Sequence, residues 1–116
     1  MVGQLRRVLP WLLTTRNVSL AAAAKAVGLS ARTLNRRLAD EETSFTELRD
    51  EVCFAIASQL LESTRMPVGE VATLLGYANL SEFTRAFTRW SGMGPAQWRA
   101  ARGKRSGKRT DSGRRD

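Results

Sequence analysis

The sequence predicts an all-α fold, on three observations. Apolar residues recur at three- and four-residue spacing along every extended segment, whereas strand-like alternation is nearly absent. Residues that favour helix starts, Ser19, Ser30, Ser44 and Asn79, stand just ahead of these segments. Glycines, Gly28, Gly76 and Gly92, stand just behind three of them, where a chain leaving a helix often needs a positive φ.

A first helix is expected from about Gln4 to Leu13, with Leu5, Val8, Leu9, Leu12 and Leu13 on one face and Pro10 either bending or delaying it. Ser19 caps a short second helix, "LAAAAKAV", which Gly28 ends. Ser30 caps a third, to about Ala39, in which Leu34 and Leu38 stand one turn apart and turn inward together. Ser44 with Glu47 three residues on has the form of a capping box and opens a long central helix over about 44–63. Its apolar pattern is Phe45, Leu48, Val52, Ala55, Ile56 and Leu60. Pro67 suits the opening of a fifth helix with Val68, Val71, Ala72 and Leu75 inward. Asn79 with Glu82 repeats the capping logic for a sixth, whose Phe83, Phe87 and Trp90 share a face and which stops at Gly92. A last helix starts near Pro95 and carries Trp98.

The chain has 116 residues, enough for one small domain or two half-domains sharing a connection. Nineteen Lys and Arg against eleven Asp and Glu give a net charge of +8, which favours polyanions, nucleic acid above all, over acidic small molecules. Half of that excess lies in residues 103–116, which hold six Lys or Arg and two Asp and no large apolar residue. This basic tail is expected to be disordered beyond a folded part over 1–102. It is either a mobile arm on phosphates or a solubilising segment. Cys53 is the only cysteine, so no intrachain disulfide is expected; a reducing cytoplasm is the simplest setting, and Cys53 reads as a small core hydrophobe. No apolar run approaches the roughly 20 residues that span a bilayer.

An internal repeat is the sharper signal. Ala24, Gly28, Leu34, Asn35, Arg36 and Leu38 match Ala72, Gly76, Phe83, Thr84, Arg85 and Phe87 in order, with one more residue in the second turn. Helix, glycine turn and second helix is the helix-turn-helix pattern, in which alanine lets two helices approach. Two such subdomains follow, over about 19–40 and 67–91, joined by the central helix; seven helices are expected in all. In "SEFTRAF" the two phenylalanines bury together, so Ser81, Thr84 and Arg85 project elsewhere. A polar row on an otherwise buried helix suits entry into a DNA major groove, where a guanidinium pairs with guanine O6 and N7. A straight helix of about 20 residues is roughly 30 Å long, near the roughly 34 Å between successive major-groove faces.

The motifs "GLSARTLNRRL", "TSFTELRDEV", "EVATLLGYANLSEFTRAFTRW" and "GMGPAQWR" make residues 2–102 resemble the DNA-binding region of AraC/XylS-type transcription regulators. The resemblance implies monomeric insertion of two recognition helices into adjacent major-groove segments of double-stranded DNA, in the service of transcription activation. It implies base contacts from Arg32, Asn35 and Arg36 in the first recognition helix and from Leu80, Ser81, Thr84 and Arg85 in the second. Thr33, Arg37, Arg89 and Arg99 are the candidate phosphate contacts, Arg99 being read as structural first. Two departures stand out: Glu42 occupies a place where many relatives have glycine, and Leu80, with no hydrogen bond to offer, reads a thymine methyl or nothing. Full-length relatives often carry an amino-terminal effector or dimerisation domain, so this chain is expected to be either a short standalone regulator or, the favoured reading, a fragment of a longer one.

An enzyme is the least supported class, because the chain has no histidine, no cysteine-histidine metal spacing, no phosphate-binding glycine loop and no nucleophile elbow. No cofactor is expected. The acidic residues Asp40, Glu41, Glu42, Glu47, Asp50 and Glu51 read as helix caps and dipole partners. The competing function is a helical protein-interaction module that contacts a partner such as RNA polymerase and binds DNA weakly.

Overall fold

The computed structural model describes residues 1–15 and 18–106, and the described residues form seven helices and no strand. These are α1 (Val2–Thr14), α2 (Leu20–Ala26), α3 (Ala31–Asp40), α4 (Phe45–Ser63), α5 (Val68–Leu74), α6 (Leu80–Ser91) and α7 (Pro95–Ser106). The caps expected from sequence are in place: Ser19, Ser30, Ser44 and Asn79 accept the backbone N–H of Ala22, Thr33, Glu47 and Glu82 at 2.9–3.1 Å. Each cap satisfies one of the four N–H groups that a helix start leaves without a partner, a contribution of about 1 kcal/mol. Pro10 lies inside α1, which begins two residues before the expected Gln4, so the proline does not delay the helix. Helix α7 continues past Arg102 to Ser106; the expectation of disorder beyond Ser106 lies outside the described residues.

The chain divides into two compact units, Met1–Cys53 and Phe54–Asp116. The first has an aliphatic core of Leu5, Leu9, Leu12 and Leu13 from α1, Ala23 and Ala24 from α2, Leu34 and Leu38 from α3, and Leu48, Val52 and Cys53 from α4. Val8, expected on the same face of α1, is half-buried. Arg6 donates from Nε to Glu51 at 2.6 Å and from its terminal nitrogen at 3.2 Å, tying α1 to α4 and holding the guanidinium still more firmly protonated. Burial pushes the Cys53 thiol from 9.0 up to about 11, so it stays neutral at pH 7 and packs as a small hydrophobe.

The second unit is built on aromatic rings. Phe54, Tyr77, Phe83, Phe87, Trp90 and Trp98 contact one another at centroid separations of 5.5–6.4 Å, tilted or edge to face. Such pairs add roughly 0.5–1.5 kcal/mol beyond the area they bury. The Trp98 indole N–H donates to Glu62 at 3.1 Å, and the Arg102 guanidinium lies 3.7 Å over the Trp98 ring. Trp90 is half-buried at the edge of this cluster rather than inside it with Phe83 and Phe87.

The apolar stripe expected along α4 needs correction. Ala55 is exposed, Phe45, Ile56 and Leu60 are half-buried, and Ala57 and Leu61 are buried in their place. One helix serves two cores here: Leu48, Val52 and Cys53 belong to the first unit, Ala57 and Leu61 to the second. Each half is therefore apolar where its own unit needs it, and a single stripe read along the whole helix fails.

Candidate nucleic-acid interface

In the first unit α2 and α3 form a helix-turn-helix. The turn closes with two backbone bonds, Gly28 N–H to Lys25 O at 3.1 Å and Leu29 N–H to Ala24 O at 2.8 Å. This is the paired closure that ends a helix on a left-handed residue, and Gly28 supplies it at φ 76°. Ala24, 2% exposed, is the small residue at the helix junction. Helix α3 leaves at once from Ser30, whose hydroxyl accepts the Thr33 N–H at 3.1 Å and donates to Thr33 Oγ1 at 3.0 Å.

The second unit repeats the device with α5 and α6. Gly76 N–H reaches Thr73 O and Tyr77 N–H reaches Ala72 O, both at 3.0 Å, with Gly76 at φ 89° and Ala72 2% exposed. Asn79 then starts α6 with its side chain on the Glu82 N–H at 2.9 Å. Two residues, Tyr77 and Ala78, separate glycine from cap here, where Leu29 alone does so in the first unit. Gly92 ends α6 at φ 89°, its N–H on Thr88 O at 2.8 Å.

The second helix of each pair is anchored by a fully buried inner face, Leu34 and Leu38 in α3, Phe83 and Phe87 in α6, all 0% exposed. At 3.6 residues per turn this leaves the opposite side to solvent, and the sequence-predicted residues lie on or toward it except Leu80, which stands at its edge at the start of α6. Arg32, Asn35 and Arg36 of α3 are exposed, as are Ser81 and Arg85 of α6; Thr84 is half-buried and Leu80 is 48% exposed. Counted from the caps Ser30 and Asn79, Arg32 corresponds to Ser81, Asn35 to Thr84 and Arg36 to Arg85. Thr88, which the sequence reading did not single out, is also exposed on α6, and its hydroxyl is turned back onto Thr84 O at 2.7 Å. The arginines can offer a planar fork of donors, the asparagine an amide that donates and accepts, and the row is held on a rigid helix.

The remaining candidates separate. Thr33 is half-buried beside its cap, with its own hydroxyl hydrogen left to donate, and Arg37 is exposed. Arg89 is exposed and already engaged within the protein. Arg99 sits elsewhere: it donates from Nε to Leu61 O at 3.0 Å and from a terminal nitrogen to Thr64 O at 3.3 Å, capping the carboxyl end of α4. Its structural role is thus visible, with Nε and one terminal nitrogen committed to these carbonyls. The closing motif marked Arg99 as structural first; which carbonyls it caps is seen only in the pairing of α4 with α7.

A domain family described as "Helix-turn-helix domain" matches residues 23–101. The ornithine utilization regulator of Pseudomonas aeruginosa is 38% identical over 82 residues, covering 71% of this chain and 24% of that protein. Among solved structures, the DNA-binding transcriptional dual regulator from Escherichia coli K-12 superposes with a TM-score of 0.75 at 25% identity, covering 86% of this chain and 93% of that one. The C-terminal domain of AraT, a response regulator from Geobacillus stearothermophilus, superposes with a TM-score of 0.78 at 27% identity, covering 99% and 90%. The chain spans about a quarter of the length of the curated relatives it matches.

Proposed function

The chain belongs to the AraC-type helix-turn-helix family of transcriptional regulators, and from that premise we propose that it reads double-stranded DNA by sequence, with α3 and α6 in two adjacent major-groove segments. The observation that carries this reading is the repeated pairing of a buried inner face with an exposed arginine at the same helical position, Arg36 in α3 and Arg85 in α6. An arginine held this way can pair bidentately with guanine O6 and N7, and Asn35 can pair with adenine N6 and N7. Arg32, Ser81 and Thr84 complete the polar row, and Leu80 adds an apolar edge. Thr33, Arg37, Arg89 and the first backbone N–H groups of α3 and α6 serve the phosphates. Arg99 is left out of this set because its bonds to Leu61 O and Thr64 O fix the guanidinium at the end of α4.

The region acts as a monomer on its site, in the cytoplasm, and its regulatory outcome is activation through RNA polymerase. The rival reading, an interaction module using the acidic stretch from Asp40 to Glu51, has less support, since members of that stretch already serve the fold. Glu51 holds Arg6, and Glu41 pairs with the amino terminus of Met1 at 3.5 Å.

Selection from random duplex DNA at two salt concentrations tests the reading. Two enriched blocks about one helical turn apart are expected. Arg36→Ala and Arg85→Ala should each cost roughly 1–3 kcal/mol in specific binding and relax base preference in one block only. Unchanged affinity in both variants would remove the base-reading assignment, and salt-sensitive binding without a motif would leave charge alone as the mechanism.

A further inference from the structure

We propose that Leu80 is a thymine reader, packing on the 5-methyl group of a thymine in the block that α6 contacts, so that the second half of this chain's site carries a required thymine. The inference rests on the reading above and deepens it. Large apolar side chains that stay exposed are few among the described residues: Trp11, Leu74 and Leu80. Of these, Leu80 alone lies on a recognition helix, as its first residue, one turn before Thr84 and beside Ser81.

Its placement follows from the backbone around it. The Gly76 closure and the Asn79 cap fix where α6 begins, and the burial of Phe83 and Phe87 fixes how it is rotated. Leu80 therefore stands at a rigid start, about 40° round the helix from Thr84 at the edge of the polar row nearest Phe87, and is 48% exposed. The equivalent residue of α3, directly after the cap Ser30, is Ala31, half-buried and too short to reach outward. The two recognition helices thus differ in chemistry. The first presents Arg32, Asn35 and Arg36; the second presents their counterparts Ser81, Thr84 and Arg85 and adds a large aliphatic side chain where the first has Ala31.

The leucine side chain has nothing to offer a phosphate and no hydrogen bond for a base edge. In the major groove, guanine and adenine present acceptors and donors, cytosine presents an amine, and only thymine presents a methyl group. Contact with that methyl removes apolar surface from water on both partners, more than the C5–H edge of cytosine offers. One methyl-sized group buried is worth about a fourfold change in affinity.

The test uses the selected site, with each thymine replaced in turn by deoxyuridine, which removes only the methyl. The α6 block is identified as the one whose preference Arg85→Ala relaxes. One replacement in that block should weaken wild-type binding about fourfold, and the same replacement should have no effect on Leu80→Ala, which itself binds the thymine site about as weakly. Leu80→Gln, which keeps the length and removes the apolar surface, should likewise be insensitive to uridine. Unchanged circular dichroism and melting of both variants are the check on folding. An α6 block without a required thymine, or a uridine penalty that persists in both variants, overturns the inference and leaves sequence reading intact. Absence of any enriched motif overturns both.

Discussion

Glu42 is the one described non-glycine residue with a positive φ, 62°. Its N–H meets Ala39 O at 2.9 Å and the Thr43 N–H meets Leu38 O at 3.0 Å, so α3 ends with the same paired closure as the turns at Gly28 and Gly76. A side chain in that conformation costs roughly 1–2 kcal/mol, and a carboxylate at a helix carboxyl end adds a smaller penalty. Glu42→Gly should therefore raise stability by roughly 1 kcal/mol, a melting shift of a few degrees, with DNA affinity unaltered. A lower melting temperature would mean that the glutamate makes a contribution outweighing its backbone strain. The sequence marks the place, as a glutamate where relatives tend to have glycine, but the closure itself is seen only in the hydrogen bonds.

At the scale of elements, the parts that were legible are the local ones. Caps, glycine stops and the inner faces of α3 and α6 depend on residues within about four positions of each other, and these stand as expected. Arg99 shows the opposite case, because its partners Leu61 and Thr64 are 38 and 35 residues away. Removing it leaves two helix-end carbonyls without their charged donor, at a cost of roughly 1.5–3 kcal/mol per bond lost at most. Arg99→Ala should lower the melting temperature, and Arg99→Lys should restore it only in part, since a single ammonium lacks the guanidinium fork. DNA binding by the folded variant should keep the salt slope of the parent. A slope shallower by about 0.9 would restore the phosphate contact that the capping geometry argues against.

For the whole molecule, charge and cooperativity are the relevant quantities. Residues 107–116 hold four Lys or Arg and two Asp. Because α7 runs to Ser106, the tail is best removed after that residue, where the helix is left whole. If these basic residues sit on phosphates, the truncated chain should bind every duplex more weakly by the same factor, with a salt slope shallower by at most about 4. Loss of discrimination between sequences would instead show that the tail reads a groove. The two units carry unlike cores, aliphatic in one and aromatic in the other, although their turns are near copies. Turn geometry tolerates little variation because backbone closure demands it, whereas a core needs only matching volume and apolarity.

By itself the sequence determined that this chain is helical, that two helix-glycine-helix phrases repeat, and that Arg36 and Arg85 stand opposite buried residues, because each of these follows from short-range spacing. Only the tertiary structure decided which residues of α4 are buried, that Glu42 completes a left-handed closure, and that Arg99 caps a distant helix. Those outcomes depend on which surface the chain brings against each residue, and a periodicity read along one helix carries no information about its neighbours.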